Sequence, residues 1–144
     1  MKPTLVAGLT HQHSFTLTEQ KMVPALYPEA ESFQAMPAVF ATGFMVGFLE
    51  WACIETIRPH LNWPQEQSLG TAIHVTHDAA TPVGFMVTAH VTVTAVDGQR
   101  VRFTVEAHDG VDVIARGTHE RFVIDKARFD QKVAKKRDKL PLAG

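Results

Sequence analysis

Phe40-Ala-Thr-Gly-Phe-Met-Val-Gly-Phe-Leu-Glu-Trp-Ala-Cys-Ile54 is the stretch that decides how this chain is read. Its fifteen residues carry two polar side chains, Thr42 and Glu50. Apolar residues fall on every face of the helix this stretch would form, unlike an amphipathic surface helix. It is too short to span a bilayer, which takes about 20 apolar residues. The pattern predicts a helix buried on all sides, starting between residues 37 and 42. Pro59 ends it after Arg58. A carboxylate inside such a helix is costly unless paired, hydrogen-bonded or protonated, which singles out Glu50. Gly43 and Gly47, one turn apart, lower helix propensity by about 1 kcal/mol each but permit close approach of another backbone.

Working outward, residues 1–10 read as a loose start. His13 to Thr18 alternates, with Phe15 and Leu17 on one face, and predicts a first strand. Residues 19–37 hold Pro24, Pro28 and Pro37 among Val23, Leu26, Tyr27, Phe33 and Met36. No regular element accommodates three prolines well, so this segment reads as a lid over a pocket or a packed loop. Beyond the helix the signal is β. Leu69 to His77 is strand-like. Val87 to Ala95 and Val101 to Ala107 alternate apolar with polar, and Val111 to Ile124 makes a last strand. Asp97-Gly98 and Asp109-Gly110 are hairpin turns between them. The order predicts an α+β fold, an antiparallel sheet curled around one long apolar helix. One sheet cannot enclose a helix, so the unsealed side predicts a homodimer.

At 144 residues the chain suits one domain, with net charge −1 and 45% hydrophobic residues. Seven of its 14 Lys and Arg fall in 126–144, giving that end +5 and the body −6. Phe129 and Val133 at helical spacing make the basic end a short exposed helix or tail. Its charge suits either solvent or phosphate groups. The single Cys53 leaves no intramolecular disulfide and fits a reducing compartment. The N-terminus has no long apolar segment, so a cytoplasmic protein is expected, with no nucleic-acid or membrane partner.

Several segments resemble the fluoroacetyl-CoA thioesterase-like family of hotdog-fold acyl-CoA thioesterases. They are Val23-Pro-Ala-Leu-Tyr-Pro28, Val39-Phe-Ala-Thr-Gly-Phe-Met-Val-Gly47, Leu49-Glu-Trp-Ala-Cys53 and Ser68-Leu-Gly-Thr71, then Val75-Thr-His77 and Ala79-Ala-Thr-Pro82, then Ala107-His-Asp-Gly-Val-Asp112 and Gly117-Thr-His-Glu-Arg121. Each is weak alone; together they are specific. The resemblance implies a hotdog fold and a catalytic Thr42, Glu50 and His77. It implies a glycine near the thioester at Gly70 and a lid aromatic at Phe33. Val23, Leu26, Phe40, Gly43 and Arg121 lie in matching segments and are expected at the substrate site. Where the fluoroacetyl-specific enzyme carries a second gate aromatic, this chain has Met36. Thioester hydrolysis is therefore implied, and preference for the fluorinated substrate is not. No metal or cofactor is expected.

The residue types suit the reaction. Glu50 can attack the thioester or activate water, and the sequence does not separate the two. His77 can shuttle protons near neutral pH. Thr42 either caps the helix or hydrogen-bonds Glu50 or the thioester. Two other readings fit the same pocket: a non-catalytic acyl-CoA-binding hotdog dimer, and a hotdog dehydratase or hydratase. Among the other histidines, His11 and His13 share a strand face and would permit a metal, though no local carboxylate or thiol joins them. His74 and His77 point to opposite faces. His108 and His119 read as turn-flanking residues.

Overall fold

The computed structural model describes residues 1–141. Strand β1 (Thr10–Thr16) leads into two short 3-10 turns and the one-turn helix α1 (Glu31–Gln34). The long helix α2 (Thr42–Ile57) follows, then β2 (Glu66–His77), β3 (Met86–Asp97), β4 (Arg100–His108), β5 (Val113–Asp125) and helix α3 (Lys126–Arg137). The five strands form one antiparallel sheet in the order β1-β3-β4-β5-β2. Asp97-Gly98 and Asp109-Gly110 make the two tight turns of the β3-β4-β5 meander, with Gly98 at φ 58° and Gly110 at φ 88°. Asp109 also organises its turn. Its carboxylate accepts from the backbone N–H of Val111 and Asp112 and from Thr81 Oγ1. Gly117 is required by packing: a Cβ there would lie 1.9 Å from the carbonyl oxygen of His74. That close approach joins β5 to β2.

The alternating residues of β3 and β4 supply the floor of the core. Val87, Ala89, Val91 and Val93 with Val101, Phe103, Val105 and Ala107 are all buried. Met45, Phe48, Leu49, Ala52, Cys53, Thr56 and Ile57 of α2 pack onto them. Those seven fall on one side of the helix at three- and four-residue spacing. The expected burial on all faces is not met within one chain. Gly43, Gly47 and Trp51 are exposed, and Val46, Glu50 and Ile54 are half-buried. The cause is geometric: a single sheet covers one side of a helix and leaves the other open. Phe15, Phe44, Gly47, Phe48, Trp51 and Lys21 line a cavity of about 440 Å³ on the open side.

Two other expectations are corrected. The first strand is Thr10–Thr16, three residues upstream of its expected start. Pairing with β3 extends to Thr10↔Thr92, while Leu17, just past the strand, stays in the core at 1% exposure. The N-terminal residues are not loose. Leu5 is buried, the Lys2 amide donates to the His60 carbonyl, and His60 Nδ1 lies 2.7 Å from Thr4 Oγ1. Basic residues of the tail form α3 as expected. It is capped by Asp125, whose side chain accepts from the Arg128 amide, and residues 142–144 of the tail lie outside the described residues. No helix among the described residues is long and apolar enough to cross a membrane.

Candidate active site

Two polar clusters sit on α2, about two turns apart. The first is at its start. Ala41 occupies the N-cap position, so Thr42 is the first helical residue and not the cap. Its hydroxyl instead lies 2.8 Å from His77 Nδ1. His77 ends β2, opposite Ala115 of β5. With Nδ1 engaged by Thr42, His77 Nε2 is buried and has no hydrogen-bond partner. A buried polar nitrogen left unpaired is costly, and such groups mark reactive or incompletely assembled sites.

The second cluster surrounds Glu50. Its Oε2 accepts from Arg121 Nη1 at 3.1 Å. The Glu50 side chain is 37% exposed while that of Arg121 is 4% exposed, so the buried partner is the cation. This corrects the expectation of a carboxylate sealed inside the core. Arg121 is held from three sides. Its Nε donates to Ser68 Oγ at 2.7 Å and its Nη2 to the Ser68 carbonyl at 2.8 Å. Nη1 also lies 3.1 Å from His119 Nε2. His119 is not a turn residue; it is buried within β5, with Nδ1 2.8 Å from the Ala72 carbonyl. Burial first, and then the Arg121 charge, hold its imidazole below the usual histidine range. Gly70 closes the cluster. A Cβ there would stand 3.0 Å from Glu50 Oε2, 3.3 Å from His119 Cε1 and 3.4 Å from Arg121 Nη1.

The remaining expected residues divide between lid and core. Val23 is hydrogen-bonded through its amide to the Val39 carbonyl, and Leu26 lies against Gly43 at the start of α2. Phe33 stacks on Tyr27 with ring centroids 5.8 Å apart, and Met36 is 50% exposed. Segment 19–37 is thus a tied-down cover over the helix start, held further by Gln34 Nε2 donating to the Pro24 carbonyl. The segment's own residues, Met22, Pro24, Ala25 and Pro28 among them, line a cavity of about 520 Å³ together with Ala38 and Val83. Thr42, Glu50 and His77 do not line that cavity. Phe40 is a core residue at 1% exposure, in contact with Phe15 and Phe48. Arg121 lies beneath Glu50, away from the lid.

His11 and His13 stack on one another, and His13 packs edge-on against Trp51. No group of three metal-ligating side chains occurs among the described residues. Cys53 is buried, and burial above all pushes its thiol up to about 12, which leaves it inert. Ser68 and His119 are the site residues that sequence reasoning missed. The signal for His119 was the alternation His119, Arg121, Val123, which puts all three on the inner face of a strand.

The profile of the fluoroacetyl-CoA-specific thioesterase family matches residues 22–127. The fluoroacetyl-CoA thioesterase of Streptantibioticus cattleyicolor is 50% identical over 136 residues, 94% of this chain and 97% of that protein. A crystal structure of a mutant of the fluoroacetyl-CoA-specific thioesterase superposes with a TM-score of 0.90 at 50% identity, covering 94% of this chain and 99% of that one. A thioesterase superfamily member from Thermus thermophilus, at 24% identity and a TM-score of 0.83 over 96% of this chain and 97% of that one, shares the fold. The sheet wrapped on one helix is the hotdog fold, and the protein belongs to the fluoroacetyl-CoA-specific thioesterase family.

Proposed function

We propose that this protein hydrolyses short-chain acyl-CoA thioesters, fluoroacetyl-CoA among the candidates, to a carboxylic acid and free CoA. Glu50 is the base or nucleophile, His77 the proton shuttle and Thr42 the positioning hydroxyl. The observation that carries this reading is the Thr42–His77 hydrogen bond with His77 Nε2 buried and unpaired. In its protonated form His77 donates Nδ1–H to Thr42 Oγ1 and keeps Nε2–H for the departing thiolate, and the neutral ring regains that proton from the water that completes hydrolysis. Glu50 Oε2 is anchored by Arg121, which leaves the other oxygen for the attack or for a water. The new C–O bond, to Glu50 or to the water it activates, forms first, and the C–S bond breaks as the tetrahedral intermediate collapses; where Glu50 is the nucleophile, water then cleaves the acyl–Glu50 anhydride to release the acid. The carbonyl oxygen, negative in the intermediate, needs donors, and the free backbone N–H groups at the start of α2 or near Gly70 can supply them.

Each site draws on two chains in this proposal. Thr42 and Glu50 lie on one continuous helix, eight residues and about 12 Å apart. Since Thr42 is already helical, no turn folds it back toward Glu50. Gly70 and His77 are likewise separated by seven residues of β2, roughly 20 Å of strand. β2 is an edge strand of twelve residues, and long edges are normally covered. Two copies of β2 pairing across a two-fold would set the Gly70 end of one beside the His77 end of the other. They would also cover the open side of α2. A cytoplasmic location fits the lone reduced cysteine.

The test is thiol release from a panel of acetyl-, fluoroacetyl- and longer acyl-CoAs. Release from the short chains is expected. No release from any of them contradicts the proposal and leaves a binding module, and hydration of an enoyl thioester without release would identify a hydratase. Activity is expected to survive EDTA; loss that a divalent metal restores would contradict the assigned roles.

A further inference from the structure

We infer that His119 is a positioning residue for thioester cleavage, one that aims Glu50 through Arg121; the inference rests on the role proposed for Glu50. The tautomer follows from geometry. His119 Nδ1 lies 2.8 Å from the Ala72 carbonyl oxygen, which can only accept, so Nδ1 carries the proton. Nε2 faces Arg121 Nη1 at 3.1 Å, and a guanidinium can only donate, so Nε2 presents its lone pair. The ring is therefore neutral and oriented, with one nitrogen fixed to β2 and the other to Arg121. Phe103 stacks on it at 5.9 Å with a 25° interplanar angle, which fixes the plane of the ring.

This matters because of how Arg121 is shared. The guanidinium is buried, and each of its contacts limits its rotation. Ser68 takes Nε and Nη2, and His119 and Glu50 share Nη1. Remove the Nε2 acceptor and an Arg N–H in the interior loses its partner, a loss a buried donor offsets by moving. Of its hydrogen-bond partners among the described residues, Ser68 and His119 are buried and the Glu50 carboxylate is partly exposed, so the displacement is passed to Glu50. Gly70 leaves room for all three side chains at one point, and this makes the relay compact. His119 touches no substrate in this account and acts only through Arg121.

The two ring nitrogens can be separated by substitution. His119→Gln keeps an acceptor where Nε2 stood; His119→Asn keeps a donor for the Ala72 carbonyl and cannot reach Arg121. His119→Gln is expected to retain kcat within a few-fold. His119→Asn and His119→Leu should lower kcat at least tenfold, toward the ~100-fold that a misplacement of about 1 Å can cost. KM should change little. A structural role alone would lower the thermal midpoint of all three variants and leave kcat of the folded protein alike, and that result would overturn the inference. If the Leu variant does not fold, the Gln–Asn pair decides. Crystal structures of the variants read the Arg121–Glu50 contact whether or not the wild type releases thiol. The contact should persist with Gln and open with Asn; an unchanged contact in the Asn variant also overturns the inference. Absence of thiol release by the wild type would instead count against the role proposed for Glu50.

Discussion

The two polar clusters on α2 are built to opposite plans. Around Glu50, Arg121 makes four contacts, His119 two, and a missing Cβ at Gly70 leaves their meeting point clear. At the helix start, Thr42 and His77 share one hydrogen bond and His77 keeps a buried nitrogen without a partner. Preorganisation of a reacting group requires neighbours that leave it no alternative position. The Glu50 cluster has those neighbours within one chain. The Thr42–His77 cluster lacks them, and in our account receives them from a second copy.

That contrast can be broken most sharply at Glu50. Glu50→Gln preserves shape and removes the base or nucleophile, and kcat should fall at least about 100-fold. A variant near the wild-type rate would make the carboxylate a structural partner of Arg121. Gly70→Ala is expected to act more gently. Its new Cβ would stand 3.0 Å from Glu50 Oε2, and the half-exposed Glu50 side chain can yield. We expect about a tenfold loss in kcat with little change in thermal midpoint. Equal losses of stability and activity would show that the buried His119 and Arg121 moved instead.

Specificity and pH effects should be smaller still. Met36 is flexible where an aromatic gate would be rigid, so acetyl- and fluoroacetyl-CoA should be poorly discriminated, and Met36→Phe should raise the fluoroacetyl preference a few-fold in kcat/KM. A strong native preference would place the gate elsewhere. Stability should decline as pH falls below about 6.5. The His119 pKa is depressed in the folded protein, so its contribution is full above the unfolded value and is lost as the unfolded chain takes up a proton first. His13, lowered by burial first and by His11 next, adds in the same direction. Chemical denaturation at pH 7.5 and 5.5 measures the difference, and equal stability would contradict both assignments.

The sheet was legible because its information is local. Val87 to Ala95 and Val101 to Ala107 alternate strictly, and the Asp-Gly pairs fix their turns. An unsealed side of α2 was legible too, since one sheet cannot enclose a helix; which residues it exposes, Gly43, Gly47 and Trp51, was not, because an all-apolar helix carries no periodicity that marks one face. Glu50 drew attention as a lone carboxylate, but its anchor lies 71 residues away on β5. Spacing cannot reveal that pair, nor the His119 tautomer, which depends on the β2–β5 register that sets Ile73 opposite His119. Phe40 went the other way. Its place in a matching motif implied the substrate site, whereas its side chain fills the core.

Subunit mixing tests the central claim most directly. Glu50→Gln and His77→Ala proteins, each inactive alone, are combined under conditions of confirmed subunit exchange. If each site takes Thr42 and His77 from one chain and Glu50 from the other, every heterodimer regains one complete site. Random exchange of equal amounts should then recover about a quarter of wild-type activity. No recovery despite exchange would place Glu50 and His77 of one site in the same chain, and a fully active monomer would contradict the shared site altogether.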